Sequence, residues 1–116
     1  MTYLFIVNDS PYGNEKPYNA LRLAMTLQKD HDAVVNMFFM GDSVVCAMKN
    51  QKTPDGFYNI ERMIKAVTRK NGGIYLCGTC LDARGMTEDH LIESTKRSTM
   101  TELGELTVKA DKVLAF

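Results

Sequence analysis

The sequence contains no tryptophan, three prolines and three cysteines, and none of its apolar runs is long. A membrane-spanning helix needs roughly 18 or more consecutive apolar residues, and no stretch of this chain approaches that length. The first apolar run, residues 3–7, has no basic region before it and stops at Asn8 and Asp9, so no secretion signal is predicted. An odd number of cysteines without such a signal indicates reduced thiols and not a disulfide framework. We therefore expect a cytoplasmic protein that does not bind a membrane.

The chain also lacks net charge, because 14 Lys and Arg residues balance 14 Asp and Glu residues. Proteins that bind nucleic acid or anionic membrane surfaces usually carry a basic excess, so neither partner is expected. A net charge near zero gives little repulsion between copies, which favours a homo-oligomer. Glycine-rich phosphate-binding motifs, a Ser-His-Asp grouping and a cluster of metal ligands are absent as well, so we expect no cofactor and no metal.

The overall composition is typical of one globular domain spanning residues 1–116. Hydrophobic residues make up 45% of the chain and charged residues 24%, a balance that can build a core and does not indicate disorder. At this length a single core can bury well over half of the surface that the unfolded chain exposes.

Hydrophobic patterning predicts an alternation of strands and helices. Four apolar runs predict buried strands at residues 3–7, 33–40, 74–77 and 112–116. Apolar residues at helical spacing predict helices at residues 16–30, 59–70 and 99–110, with short helical turns at 43–48 and 88–92. Residues 93–98 are polar and follow neither period. The alternation predicts an α/β fold in which a parallel sheet is covered by helices on both faces.

Several helix starts carry residues that typically cap a helix. Asn59 is a predicted N-cap, and Thr99 with Glu102 three residues later matches a capping box. Asp42 or Ser43 is predicted to cap the short helix that follows the second strand.

The segment after the third predicted strand contains the side chains that are best suited to take part in a reaction. Cys77 ends the strand, Cys80 follows at C-x-x-C spacing, and Asp82 and Arg84 come a few residues later. Ligands of α/β proteins bind at the carboxyl ends of parallel strands, and the N–H groups of a following helix stabilise a thiolate. Arg84 adds a positive charge if its side chain folds back, and Asp82 is predicted either to orient Arg84 or to cap the turn. This environment favours a nucleophilic cysteine.

The same residues also admit a structural interpretation. Free cysteines often fill small core positions, and one C-x-x-C pair is too few for a four-ligand zinc site. Cys46 is predicted to be such a buried residue, and His31 and His90 are predicted to lie on the surface. The spacing of Cys77 and Cys80 by itself leaves both interpretations open.

Five stretches resemble the DsrE/DsrF-like family, which includes the TusD-type subunits of sulfur-relay complexes. They cover nearly the whole chain and comprise residues 6–13, 18–24, 39–44, 77–85 and 110–116. The pattern is that of the small stand-alone branch of the family. The resemblance implies a three-layer α/β/α sandwich with a mainly parallel central sheet and flavodoxin-like topology. It also implies a homo-oligomer, either a trimer or a hexamer, with sulfur donor and acceptor proteins as partners.

The resemblance further implies a sulfur carrier or sulfurtransferase. In the sulfur-relay members one cysteine accepts sulfur as a persulfide, and its spacing before an Arg-Gly pair, here Arg84-Gly85, falls on Cys77. Cys80 is a second thiol of this branch that the relay subunits do not require. We predict that Cys77 attacks a donor persulfide as a thiolate while Arg84 and nearby backbone N–H groups stabilise the anion. Cys80 is predicted to resolve the persulfide or to protect it as a disulfide.

Four further residues are predicted to line the substrate pocket: Asn8, Tyr12, Gly78 and Gly85. Two other functions stay open at this point. One is a non-catalytic oligomeric module that binds a ligand or partner and uses its cysteines only for packing. The other is a C-x-x-C thiol–disulfide redox protein, in which the two thiols form a reversible disulfide.

Overall fold

The computed structural model describes residues 1–116 and contains five strands, four α-helices and two short 3₁₀ helices. The strands are β1 (Thr2–Val7), β2 (Val34–Phe39), β3 (Gly73–Cys77), β4 (Lys96–Ser98) and β5 (Lys112–Ala115). The α-helices are α1 (Lys16–His31), α2 (Ile60–Arg69), α3 (Gly78–Ala83) and α4 (Met100–Lys109). The 3₁₀ helices span Gly41–Ala47 and Glu88–His90.

All strands pair in parallel, as the apolar strand runs predicted, and they lie in the order β4-β3-β2-β1-β5. The chain steps in one direction from β1 to β4 and then crosses to the opposite edge for β5. Because such crossovers are right-handed, α1 and α2 cover one face of the sheet and α4 covers the other. The predicted α/β/α sandwich with a mainly parallel sheet is confirmed. The flavodoxin-like topology is not, because β1 lies between β2 and β5 and not between β2 and β3 as in the flavodoxin order 2-1-3-4-5.

The core lies on both faces of the central strands. Phe5, Met37 and Ile74 are register partners on one face and are buried beneath α1 and α2. Leu4 and Phe38, which point to the other face, are also fully buried. Burial of each such side chain stabilises the fold by about 1.5–3 kcal/mol. The central strands therefore fix the position of the sheet edge at which the candidate site lies.

Two helix caps form as the sequence predicted. The Asn59 side chain accepts a hydrogen bond from the Arg62 N–H at 3.1 Å, and Thr99 accepts one from the Glu102 N–H at 3.2 Å. The second half of the capping box does not form, because the Glu102 carboxylate accepts a hydrogen bond from the Ser98 hydroxyl instead.

One strand was not predicted, and one local prediction is wrong. Residues 93–98 contain a strand, β4, that the patterning did not indicate, because three polar residues at a sheet edge need no apolar alternation. The segment after β2 is a 3₁₀ helix without a side-chain cap. Ser43 is fully buried there and its hydroxyl donates to the carbonyl oxygens of Val7 and Met40.

The helices are short relative to a bilayer. None combines the length and the apolar composition that crossing a membrane requires.

Candidate functional site

The two cysteines of the C-x-x-C motif lie at the carboxyl edge of the sheet, where β3 passes directly into α3. Cys77 is the last residue of β3 and the N-cap of α3, and Cys80 lies in the first turn of that helix. The Cys77 side chain is 8% exposed, and its sulfur lies 3.2 Å from the Thr79 hydroxyl oxygen. The direct passage from strand to helix therefore brings both thiols to one edge.

Cys80 faces the segment that leaves β2. The Gly41 N–H donates a hydrogen bond to the Cys80 sulfur at 3.2 Å. Gly41 has a φ of +60°, a left-handed conformation that glycine adopts without steric cost. This turn aims a backbone donor at the thiol, and the sequence patterning did not reveal it.

Arg84 lies on the same side as Cys80. Its guanidinium donates to the Cys80 carbonyl oxygen at 3.0 Å and pairs with the Asp42 carboxylate at 2.6 Å. The side chain thus folds back toward the cysteines, as the sequence suggested. Neither predicted role of Asp82 forms, since Asp42 pairs with Arg84 and the Asp82 carboxylate does not cap the turn.

Asp82 instead pairs with Arg97, a residue that the sequence reasoning missed. Both guanidinium nitrogens of Arg97 donate to the two carboxylate oxygens of Asp82, at 2.7 and 2.8 Å. Arg97 lies on β4 opposite Leu76, one residue before Cys77. Only the pairing of β4 with β3 brings this cation to the site, so no spacing in the sequence signals it.

Gly78 makes room for that ion pair. A Cβ atom at this position would lie 2.9–3.0 Å from three atoms of the Arg97 guanidinium. The absence of a side chain at Gly78 therefore lets Arg97 lie against the start of α3.

A pocket of about 190 Å³ opens beside Cys77. It is lined by Cys77, Gly78, Thr79, Arg97, Ser98, Thr99 and Met100. The largest surface cleft of the protein, about 520 Å³, lies elsewhere, among Lys49, Lys65 and Arg69, and no cysteine lines it. We assign the candidate site to the smaller pocket because a nucleophile lies there.

The pKa values of the two thiols are shifted in opposite directions. Burial opposes ionisation of Cys77, but hydrogen bonds from the Cys80 thiol, the Thr79 hydroxyl and the backbone N–H groups of both residues lower the pKa of Cys77 below its ordinary value. Burial and the neighbouring Cys77 sulfur raise the pKa of Cys80, although the Gly41 N–H and Arg84 act in the opposite direction. Cys77 is therefore the more acidic thiol of the pair.

The structure does not bring Asn8 and Tyr12 into contact with the thiols. Asn8 bonds through its backbone and side-chain N–H groups to the Phe116 carbonyl oxygen. The Tyr12 hydroxyl donates to Gln51 and accepts from the Ile60 N–H at 3.0 Å. Both residues thus tie distant parts of the chain together.

Three other residues that the sequence analysis singled out lie in a turn, in the core and on the surface. Gly85 turns the chain after α3 with a φ of +63° and has open space around it. Cys46 is fully buried, as predicted, and His90 is exposed, with its ring nitrogen accepting from the Thr87 N–H at 3.0 Å. No three His, Cys, Asp or Glu side chains gather closely enough to hold a metal ion.

Comparison with known proteins places the chain among relatives along its whole length. The family model described as DsrE/DsrF-like matches residues 1–116. Protein YchN of Escherichia coli (strain K12) is 38% identical over 114 residues, covering 97% of each chain. The crystal structure of the E. coli YchN protein superposes with a TM-score of 0.91 over the full length of both chains, at 39% identity.

A more distant relative has a name that states an activity. The sulfurtransferase TusD of Buchnera aphidicola subsp. Schizaphis graminum is 28% identical over 97 residues, which cover 83% of this chain and 76% of TusD. The match of the family model over every residue, together with the extent of the YchN match, leads to one conclusion: the chain belongs to the DsrE/DsrF-like family.

Proposed function

We propose that the protein carries sulfane sulfur as a persulfide on Cys77 and takes part in a sulfur relay. The observation that carries the proposal is the environment of Cys77, a thiol with a lowered pKa that lines a pocket together with Arg97. A thiolate is the form of cysteine that attacks sulfur, so the environment matches the reaction. The sulfurtransferase TusD among the relatives supports the same class of function.

In the proposed reaction, the Cys77 thiolate attacks the outer sulfur of a donor persulfide, R–S–SH. A new S–S bond forms to Cys77 as the bond between the donor's two sulfurs breaks. The electron pair of that bond leaves with the donor sulfur, which is released as a thiolate and takes up a proton from water. The N–H groups of Thr79 and Cys80 hold the anionic sulfur of Cys77 before attack.

Two positively charged side chains lie close to the cysteines. Arg84 and Arg97 each keep a carboxylate partner, Asp42 and Asp82, so each is held in place while its charge acts on the cysteines. Both guanidinium groups favour a negative charge on Cys77 and, after transfer, on its persulfide. In this proposal Gly78 and Gly85 shape the backbone around the site and are not recognition groups.

We also propose that the protein acts in the cytoplasm as a homo-oligomer, a trimer or a hexamer, with sulfur donor and acceptor proteins. One face of the five-stranded sheet is covered by α4 alone, and the edge strand β5 leaves Val113 43% exposed. Apolar surface of this kind favours contact with another copy of the chain. The oligomeric state is measured directly by analytical ultracentrifugation.

The test of the sulfur carrier is intact-protein mass spectrometry after incubation with inorganic polysulfide. Wild-type protein is expected to gain about 32 Da, the mass of one sulfur atom, and Cys77→Ser is expected to lose this adduct. Cys80→Ser is the matched control, because it removes the neighbouring thiol and leaves Cys77 in place. Uptake by Cys77→Ser at the wild-type rate would disprove the proposal.

A second candidate is thiol–disulfide redox chemistry, favoured by the C-x-x-C spacing that places both cysteines at the start of α3. It predicts a loss of about 2 Da that requires both cysteines, and no sulfur adduct. An absence of any mass change would instead favour a binding module with unreactive cysteines.

A further inference from the structure

The two thiols of the site open toward different neighbours, although they belong to the same turn of chain. The Cys77 sulfur lies on the β4 side, in the pocket with Arg97 and Thr99. The Cys80 sulfur lies on the β2 side, against the Gly41 N–H. Because β3 lies between β4 and β2 in the sheet, the thiols are reached from opposite flanks of one strand.

The flanks also differ in access. Cys77 is 8% exposed and is reached through a pocket of about 190 Å³. Pockets for drug-sized ligands measure roughly 300–1,000 Å³, so this one suits a donor of a few heavy atoms and not a folded protein. Cys80 is more exposed than Cys77 and does not line this pocket.

Each flank carries its own ion pair. Asp82 and Arg97 lie beside Cys77, and Asp42 and Arg84 lie beside Cys80. Each sulfur therefore has a guanidinium nearby. Such a cation would stabilise a negatively charged sulfur at either position.

We propose that sulfur passes through the site in two steps, loaded onto Cys77 from a small persulfide or polysulfide and delivered from Cys80 to the thiol of a partner protein. This inference rests on the proposed function of Cys77. It adds a second sulfur-bearing residue, a direction of transfer and a distinct side for each reaction partner.

The internal step balances without an external oxidant or reductant. The Cys80 sulfur attacks the outer sulfur of the Cys77 persulfide, so an S–S bond forms to Cys80 while the bond to Cys77 breaks. The electron pair of the broken bond stays on the Cys77 sulfur, which leaves as a thiolate, and the proton of the Cys80 thiol passes to water. Delivery repeats the exchange, with the partner thiolate attacking the outer sulfur and Cys80 leaving.

The acidities of the two thiols favour this direction. A thiol with a low pKa leaves readily, and a thiolate with a higher pKa is the stronger nucleophile. The pKa of Cys77 is lowered and that of Cys80 is raised, so Cys77 suits the leaving role and Cys80 the attacking role.

The test separates the two steps by the size of the acceptor. Protein is loaded with inorganic polysulfide, desalted and divided between cyanide, which is small, and a thiol held close to the surface of a branched polymer, whose body is too large for the pocket. Thiocyanate and the polymer persulfide are measured, and fragment-ion mass spectrometry locates the remaining sulfur on Cys77 or Cys80. Cys80→Ser and Cys80→Ala are compared with Val108→Ser, a control at a position that is 87% exposed on α4.

The expected result is specific to the acceptor. Release is expressed per sulfur loaded, and in both Cys80 variants the ratio of release to the polymer thiol over release to cyanide falls about tenfold or more. Agreement between the two variants shows that the loss comes from the missing thiol, since serine retains an acceptor for the Gly41 N–H and alanine does not.

Three outcomes would overturn the inference. Release to the polymer at the wild-type rate from Cys80→Ser would show that Cys77 delivers sulfur itself and would leave the proposed function intact. Formation of a Cys77–Cys80 disulfide with release of sulfide would show attack on the inner sulfur. Failure of wild-type protein to load sulfur would overturn the carrier function and the two-step transfer together.

Discussion

Cys46 and Cys77 are both buried cysteines in one small core, but their sulfurs have opposite electrostatic surroundings. The Cys46 thiol points at the Asp9 carbonyl oxygen, 3.9 Å away, and burial raises the pKa of Cys46 to about 12. The Cys77 sulfur lies among N–H and O–H donors, and these lower its pKa despite burial. Burial alone thus does not decide the reactivity of a cysteine, because the dipoles that face the sulfur can reverse its effect.

The largest expected difference between these residues is in alkylation by iodoacetamide near neutral pH. A rise in the Cys46 pKa from 9.0 to about 12 reduces its thiolate fraction about a thousandfold relative to an ordinary thiol. We expect Cys77 to be labelled first and Cys46 only after unfolding, as measured by peptide mass spectrometry in buffer and in guanidinium chloride. Equal labelling of both residues in the folded protein would remove the basis of the comparison.

The pH dependence of labelling sharpens the comparison within the C-x-x-C motif. Because the pKa of Cys77 is lowered, Cys77 should still be labelled rapidly at pH values below the ordinary thiol pKa. Its labelling rate should fall only when the pH drops through the lowered pKa. Cys80, with a raised pKa, becomes reactive only above the ordinary range. Two apparent midpoints are expected for this interacting pair in rates measured from pH 5 to 11, a range chosen around thiol pKa values of about 8.5. A single midpoint at the ordinary value for both residues would contradict the assignment.

Replacing the flanking cations is expected to have a smaller effect. Arg97→Gln should raise the Cys77 pKa and slow its labelling at neutral pH about two- to fivefold, a modest effect because water screens an exposed charge. Arg84→Gln should act more on Cys80, whose carbonyl oxygen it contacts. Arg22→Gln, which removes an arginine stacked on Tyr18, is the control and should leave both thiols unchanged. Equal effects of the three variants would show that only net charge matters.

The smallest expected effect comes from Gly78→Ala. The added Cβ atom meets the end of the Arg97 side chain, which is flexible and moves aside. We therefore expect Cys77 labelling to slow by no more than in Arg97→Gln, with the free energy of unfolding within about 1 kcal/mol of wild type, because alanine also favours the helical backbone. Urea unfolding measures the second quantity. The variant Gly78→Ala, Arg97→Gln should show no further loss of reactivity, and a strictly additive loss would contradict the contact.

The strongly patterned elements could be predicted from the sequence. Long apolar runs and helical stripes identified β1, β2, β3, α1 and α2, because a buried strand or helix must be apolar on every face that it hides. Asn59 and Thr99 were identifiable as caps, since their side chains satisfy N–H groups within three residues along the chain. The β4 strand could not be predicted in this way, because an exposed edge strand of three residues has no apolar pattern to detect.

The same distinction applies to the candidate site. The C-x-x-C spacing and its position after an apolar strand placed Cys77 and Cys80 at the carboxyl edge of a parallel sheet, and that placement is local in sequence. The partners of the thiols are not local. Gly41 lies 39 residues before Cys80, and Asp42 lies 42 residues before Arg84.

The sequence by itself determined the family, the parallel α/β sheet and the edge at which the cysteines lie, because local apolar patterning and a short motif carry that information. Only the tertiary structure decided which thiol has the lowered pKa and which arginine lies beside each thiol. Those properties depend on hydrogen bonds and charges over a few ångströms, and the pairing of β4 with β3 and the turn after β2 are what bring Arg97 and Gly41 to the two sulfurs.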